Sequence, residues 1–202
     1  YRYVVWAFRN FYLVSIIYTR ILEKLMSTIA LIYSTHDGQT LKICQRLAQR
    51  MQANDQQTSL LSLADCSAIN WQEYDQVILG ASIRYGHLNK ALYQFIETNK
   101  ESLNQINNAF FCVNLTARKP EKNTPETNAY MKKFLTLSSW QPQKLAVFAG
   151  ALLYSKYGFF DKFMIRLIMK ITGGETDTSK DIEYTDWDKV DQYADELLAS
   201  LT

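Results

Sequence analysis

The sequence predicts an α/β protein, a five-stranded parallel sheet with helices on both faces. From residue 26 onward, apolar runs of strand length alternate with amphipathic runs of helical period. Two of the strand-like runs, QVILGAS at 76–82 and AFFCVNL at 109–115, are almost unbroken, as strands buried on both faces require. No repeats or low-complexity segments interrupt the alternation.

The elements follow in order. TIALIY at 28–33 is the first strand, and 41–51 is a helix with Ile43, Leu47 and Met51 on one face. TSLLSL at 58–63 is the second strand and 76–82 the third. A helix over 91–100 leads to the fourth strand, 109–115. Residues 127–137 are helical, with Tyr130, Phe134 and Leu137 at one-turn spacing, and KLAVFAGAL at 144–152 is the fifth strand. The closing helix, 186–201, carries an apolar stripe of Trp187, Val190, Tyr193, Ala194, Leu197 and Leu198.

Composition narrows the class. The 202 residues suffice for one domain with a substantial core, and 48% hydrophobic with 21% charged residues is the balance of a folded chain. A net charge of +2 offers no argument for nucleic acid. Cys44, Cys66 and Cys112 are odd in number, widely spaced and set in apolar runs, so they read as reduced thiols without disulfide or zinc spacing; Cys44 and Cys112 read as packing residues. With His36 and His87 the only histidines, a histidine-rich metal centre is not expected. Residues 1–25 are apolar but carry Arg9 and Asn10 centrally, which makes them marginal as a membrane span. They lack a signal-peptide cleavage site. The expectation is that the native domain is 26–202, starting at Met26, with 1–25 an extension; a membrane-surface anchor is the alternative.

In parallel sheets, ligands bind at the carboxyl ends of strands beside the switch in strand order. That rule selects three loops, 34–40, 82–87 and 114–119. In the first, Ser34, Thr35, Gln39 and Thr40 carry hydrogen-bonding side chains, and Gly38 allows close backbone approach. Hydroxyls and free N–H groups at a helix N-terminus suit a phosphate. With neither a P-loop lysine nor three spaced glycines, the loop is not a triphosphate or dinucleotide fingerprint. It fits one mononucleotide phosphate, or else an ordinary turn capped by Thr or Asp. Arg84, Arg118 and Lys119 stand at strand exits, where they meet carboxylates or phosphate, or solvent. Tyr85 stacks on a ligand ring or packs in the core, and His87 assists a proton transfer or is structural. A phosphoacceptor receiver would need acidic residues where Ser34-Thr35 and Ala81-Ser82 stand, so that reading fails.

Residues 154–181 are too long for a strand-to-helix loop. Within them Phe160, Phe163, Met164, Leu167, Ile168 and Ile171 follow helical spacing. Lys162, Arg166 and Lys170 form a row on another face, and Gly173-Gly174 stops the helix. An apolar face edged by cations suits the headgroup boundary of an anionic membrane or contact with an apolar substrate; packing on the domain is the alternative.

The stretches STHDGQT, GASIRYGH, VNLTARKPEKNTPETN and FFDKFMIRLIMKITGGETDT, in this order, resemble the bacterial menaquinone-dependent protoporphyrinogen IX dehydrogenases, a long-chain branch of the flavodoxin-like family. The similarity runs from about Met26 to the C-terminus. It implies a flavodoxin-like sheet of order 2-1-3-4-5 and an FMN cofactor. It implies oxidation of protoporphyrinogen IX to protoporphyrin IX, with menaquinone or ubiquinone as acceptor, in haem biosynthesis. By this resemblance Thr35, His36, Asp37, Gly38 and Gln39 wrap the FMN phosphate, with Ser34 and Thr40 completing the loop. His36 stands where an arginine would give a firmer anion contact. Ser82, Ile83, Arg84, Tyr85 and Gly86, with Asn114, Leu115, Thr116, Ala117 and Arg118, flank the flavin ring, and Arg84 and Arg118 are candidate contacts to substrate propionates. The chemistry belongs to the flavin, so no triad or general base is expected. The segment from Phe159 to Ile171 would dock the protein peripherally on the cytoplasmic face of the inner membrane. A flavodoxin-type NAD(P)H:quinone reductase and a flavodoxin electron carrier are the rival activities; the basic insertion argues against an acidic-faced carrier.

Overall fold

The computed structural model describes residues 27–66 and 69–201. The expectations for residues 1–25 and for a start at Met26 lie outside them.

Five parallel strands, β1 (Thr28–Ser34), β2 (Gln57–Ser62), β3 (Gln76–Ser82), β4 (Asn107–Val113) and β5 (Lys144–Phe148), form one sheet of order β2-β1-β3-β4-β5. This is the order expected. The helices are α1 (Gln39–Gln52), α2 (Lys90–Gln105), α3 (Ala129–Leu137), α4 (Phe159–Thr172) and α5 (Trp187–Leu198). Alternation along each strand sends side chains to opposite faces, so the sheet carries two cores. Ala30, Ile32, Val77 and Leu79 pack with α2 and α3, through Leu92, Phe95 and Phe134 among others. Ile29, Leu31, Ile78 and Phe111 pack with α1 and α5, through Ile43, Leu47, Val190 and Leu197. Cys44 and Cys112 are buried in these cores, and burial pushes the Cys112 thiol up to about 12, so both behave as packing groups. Arg46 and Arg50 on α1 fork onto Asp191 and Asp195 on α5, which brace the edge of that layer at the surface.

One backbone position in the sheet tolerates no side chain. A Cβ on Gly80 would stand 2.2 Å from the Phe111 ring, and Phe111 is fully buried. Gly80→Ala is therefore expected to lower stability by about 1–3 kcal/mol through overpacking. Denaturant titration reads it, and an unchanged midpoint would contradict it.

The fifth strand is shorter than expected from KLAVFAGAL. β5 leaves the sheet after Phe148, where its ladder with β4 ends at Val113, and Asn114 N–H closes onto the Phe148 carbonyl. Ala151–Leu152 (β6) turns away and pairs antiparallel with Ile182–Glu183 (β7). The pull comes from the returning chain: Thr185 Oγ1 donates to the Ala149 carbonyl and Tyr184 N–H to that of Gly150. These two short strands are the stalk of the insertion. Beyond them Leu152, Tyr154, Tyr157, Ile165 and Met169 form a third small core. Only one edge of α4 joins it. The opposite face is open, with Phe159 92%, Phe160 69%, Phe163 60% and Ile171 75% exposed. The α4 helix stops at Gly173, which is left-handed, with Gly174 N–H returning to the Met169 carbonyl.

Candidate functional site

The switch in strand order falls between β1 and β3, and the loops leaving β1, β3 and β4 converge there. After β1, Gly38 opens α1 at φ 96°, a left-handed value that suits glycine, and no side chain caps the helix. The contrast is internal, since Asn89, Asn128 and Asp186 each cap a helix by accepting a backbone N–H. An ordinary capped turn is thus not what this loop is. Thr35 turns inward, its Oγ1 accepting from Gly38 N–H at 3.0 Å. Thr40 Oγ1 and Gln39 Oε1 are buried with no protein partner. The Gln39 amide is held in place by donating to Glu183 at 3.1 Å and Thr185 at 2.9 Å. Lys156, from the insertion, reaches over the loop: its Nζ donates to the Asp37 carbonyl at 3.1 Å and stands 3.9 Å from where a Gly38 Cβ would be. Uncapped helix N–H groups, an orphaned buried hydroxyl and an overhanging ammonium fit a phosphate.

After β3 the chain makes a two-residue reversal. Arg84 and His87 exchange backbone hydrogen bonds of 2.9 and 3.0 Å, with Tyr85 at φ 49° and Gly86 at φ 78° between them. Both central residues left-handed is the geometry of a type I′ turn, and tyrosine seldom adopts it. The turn presents Tyr85 half-exposed and directs Arg84 across the site. There Arg84 lines the cavity and is also engaged by the protein's own carboxylates. Its guanidinium pairs with Asp37 of the first loop at 3.1 Å and with Asp161 of α4 at 2.7 Å. It also lies over the rings of Tyr85 and Tyr157, at 4.9 and 5.3 Å. Tyr85 hydroxyl donates to the other oxygen of Asp161. Burial pushes the Tyr157 phenol up to about 12, so near neutrality it is a donor, with Asp37 Oδ2 at 3.4 Å. Two carboxylates flanking one cation hold each other within reach only through it.

After β4, Asn114 Oδ1 accepts from Ala117 N–H at 3.1 Å and from the Thr116 hydroxyl at 2.6 Å. Arg118 Nη1 donates to the Leu115 carbonyl at 2.8 Å, which folds the arginine against its own loop.

The three exits and α4 enclose a cavity of about 180 Å³. Of the expected residues, Thr35, His36, Asp37, Gln39, Ser82, Ile83, Arg84, Tyr85, Gly86, Asn114, Leu115, Thr116 and Arg118 line it. Ser34, Gly38 and Thr40 belong to the loop beneath the wall, and Ala117 is buried in the core. His87 points elsewhere, with its Nδ1 3.3 Å from Lys133 Nζ. Sequence reasoning missed Tyr130, Tyr157, Ile165 and Met169, which also line the cavity, and Lys156 above the 34–40 loop; Ile168, read only as part of the apolar face of α4, lines it too. The one available signal was YSKYG immediately before α4, two tyrosines and a lysine in an insertion next to a strand exit. Among the described residues, no helix is long and apolar enough to cross a membrane.

Comparison with known proteins agrees with this geometry. The flavodoxin-domain family model matches residues 30–179. Protoporphyrinogen IX dehydrogenase [quinone] of Escherichia coli K12 is 47% identical over 167 residues, 83% of this chain and 92% of its own length. The protein of the same name from Leishmania major is 45% identical over 84% of this chain and 74% of its own. Among solved structures, a short-chain flavodoxin associated with a bacterial microcompartment aligns with TM-score 0.52 at 7% identity, over 88% of this chain and all of its own; it bears on the fold alone. The chain belongs to the flavodoxin-domain family, within the group of the protoporphyrinogen IX dehydrogenases [quinone].

Proposed function

We propose that this protein binds FMN and oxidises protoporphyrinogen IX to protoporphyrin IX, passing the electrons to a membrane quinone, menaquinone, as a step of haem biosynthesis. It works as a peripheral protein on the cytoplasmic face of the inner membrane. The observation that carries the reading is the two-sided α4. Its inner edge, Ile165, Ile168 and Met169, walls the cavity, while Phe159, Phe160 and Phe163 face outward, unpartnered among the described residues. A flavin site roofed by a membrane-seeking helix suits a reaction whose acceptor lives in the bilayer. The names of the curated relatives support the same substrate and acceptor class.

When bound, the flavin supplies two-electron acceptance from the substrate and return to the quinone. The chain supplies the rest. Uncapped α1 N–H groups, that of Gln39 among them, and the Thr40 hydroxyl would hold the phosphate, with Lys156 adding charge complementarity. The Tyr85–Gly86 turn and the Asn114–Arg118 loop bring backbone groups to the cavity wall. Ile165, Ile168 and Met169 exclude water from it. Outside, Lys162, Arg166 and Lys170 meet anionic headgroups while the phenylalanines enter the acyl boundary.

The purified protein is expected to be yellow and to release FMN on denaturation. Under anaerobic conditions protoporphyrinogen IX should bleach the flavin and a menaquinone analogue should restore it. Rapid bleaching by NADH with none by the porphyrinogen would replace this reading with the quinone-reductase one.

A further inference from the structure

A second cavity, of about 140 Å³, lies beside the Tyr85–Gly86 turn, lined by Gly86 and by His87 and Leu88 that follow it. It shares Ile83, Gly86 and Tyr130 with the walls of the first, so the two are neighbours. Its lining is mostly apolar except for His87, Lys90 and Lys133. We propose that this cavity receives the carboxyethyl edge of the tetrapyrrole, with Lys90 and Lys133 as the cations that select a dicarboxylate substrate.

The inference rests on the proposed function for the identity of the ligand, and on charge placement for the site. Arg84, the cation that sequence position favoured, is already engaged by Asp37 and Asp161. Arg118 donates to the Leu115 carbonyl. Unlike Arg84, Lys90 and Lys133 make no ion pair with a carboxylate among the described residues, and Lys133 Nζ is 3.3 Å from the His87 ring nitrogen. Lys90 is also the first residue of α2, where the positive end of the helix adds to its own charge. Two lysines without carboxylate partners at the mouth of an apolar cavity favour an anion carried on an apolar body. The cavity has room for side arms and not for the macrocycle, so the ring would extend from it toward the first cavity. A quinone has no carboxylate and gains nothing from the pair. The site therefore distinguishes the two reactants that share one flavin.

The test uses the FMN-loaded full chain and the Lys90→Glu/Lys133→Glu double variant, with Lys90→Gln/Lys133→Gln as a milder second. Protoporphyrin IX and its dimethyl ester are titrated by porphyrin fluorescence, and KM is measured for the two corresponding porphyrinogens. Wild type should bind the diacid at least tenfold more tightly than the ester, and charge reversal should abolish that preference. KM for the diacid should rise at least tenfold while that for the ester, the flavin content and the quinone KM stay put. Equal loss for diacid and ester, or no loss for either, overturns the inference even where the wild type turns over protoporphyrinogen. A wild type that prefers the diacid in titration but oxidises neither porphyrinogen keeps this site and removes the proposed function instead.

Discussion

Replacing Phe160, Phe163 and Leu167 together by serine is expected to lower partitioning onto anionic vesicles by more than a hundredfold. These side chains are 69%, 60% and 43% exposed and lie on the face of α4 that no described residue covers. Burying an exposed Phe or Leu in an apolar medium is worth about 1.5–3 kcal/mol. Discounted for the part already covered, three such groups contribute about 3–5 kcal/mol, and each 1.4 kcal/mol is tenfold. Lys162, Arg166 and Lys170 add about 1 kcal/mol each at an anionic surface, so high salt should weaken vesicle binding without abolishing it. None of the three replaced residues lines the cavity. Flavin content and turnover with a short-chain soluble quinone should therefore persist, while turnover with quinone embedded in vesicles collapses. Vesicle co-sedimentation with circular dichroism of each variant measures this. Undiminished sedimentation by a folded variant would remove the membrane role of α4.

The second large effect is expected at Arg84. Its guanidinium is the only group seen to join the phosphate loop, through Asp37, to the insertion, through Asp161, among the salt bridges of the described residues. The pair is largely screened from water, with about a fifth to a quarter of each side chain exposed. Arg84→Ala leaves both carboxylates without a cation, one of them in the loop proposed to hold a phosphate, where like charge repels. FMN affinity should fall about ten- to a hundredfold, which is ~1.4–2.7 kcal/mol, within the range for truncating a charged hydrogen-bonding partner. The start of α4 should loosen as well, read as faster proteolysis between residues 157 and 174. Arg84→Ala combined with Asp37→Asn should recover part of the FMN affinity but not the protease resistance, because Asp161 stays without a cation. Full FMN retention by the single variant would show that the network is ornamental. The same outcome in both variants would assign the effect to packing against Tyr85 and Tyr157 rather than to charge.

The elements that sequence reading located share a physical property: their signals are local. β3 runs from Gln76 to Ser82 as its apolar run does, and α1 buries Ile43, Leu47 and Met51 as their spacing requires. The turn from Ser34 to Thr40 was legible for the same reason, since a strand, a polar turn with Gly38 and a helix are contiguous. The errors sit where local signal conflicts with a distant partner. KLAVFAGAL reads as one strand because all its residues are apolar or small, yet Thr185 and Tyr184 capture Ala149 and Gly150 and split it.

Apolar periodicity in the chain by itself determined the class of fold, the three strand exits that form the site, and the presence of a helix with an apolar face and a cationic row after β5. Tertiary structure alone decided which face of that helix is open and which charges are spent. Asp37 lies 47 residues from Arg84, and Asp161 lies 77 residues from it on the other side. Lys156 lies 119 residues from the carbonyl it caps. Burial pattern is written in near neighbours along the chain, because it follows from the repeat of a helix or strand. Neutralisation of a charge depends on which loops converge in space, and no spacing in the sequence encodes that. Arg84, which lines the cavity as its place at a strand exit suggests, is also tied to Asp37 and Asp161, while Lys90 and Lys133, unremarked in the sequence, line the neighbouring cavity without an ion pair to a carboxylate among the described residues.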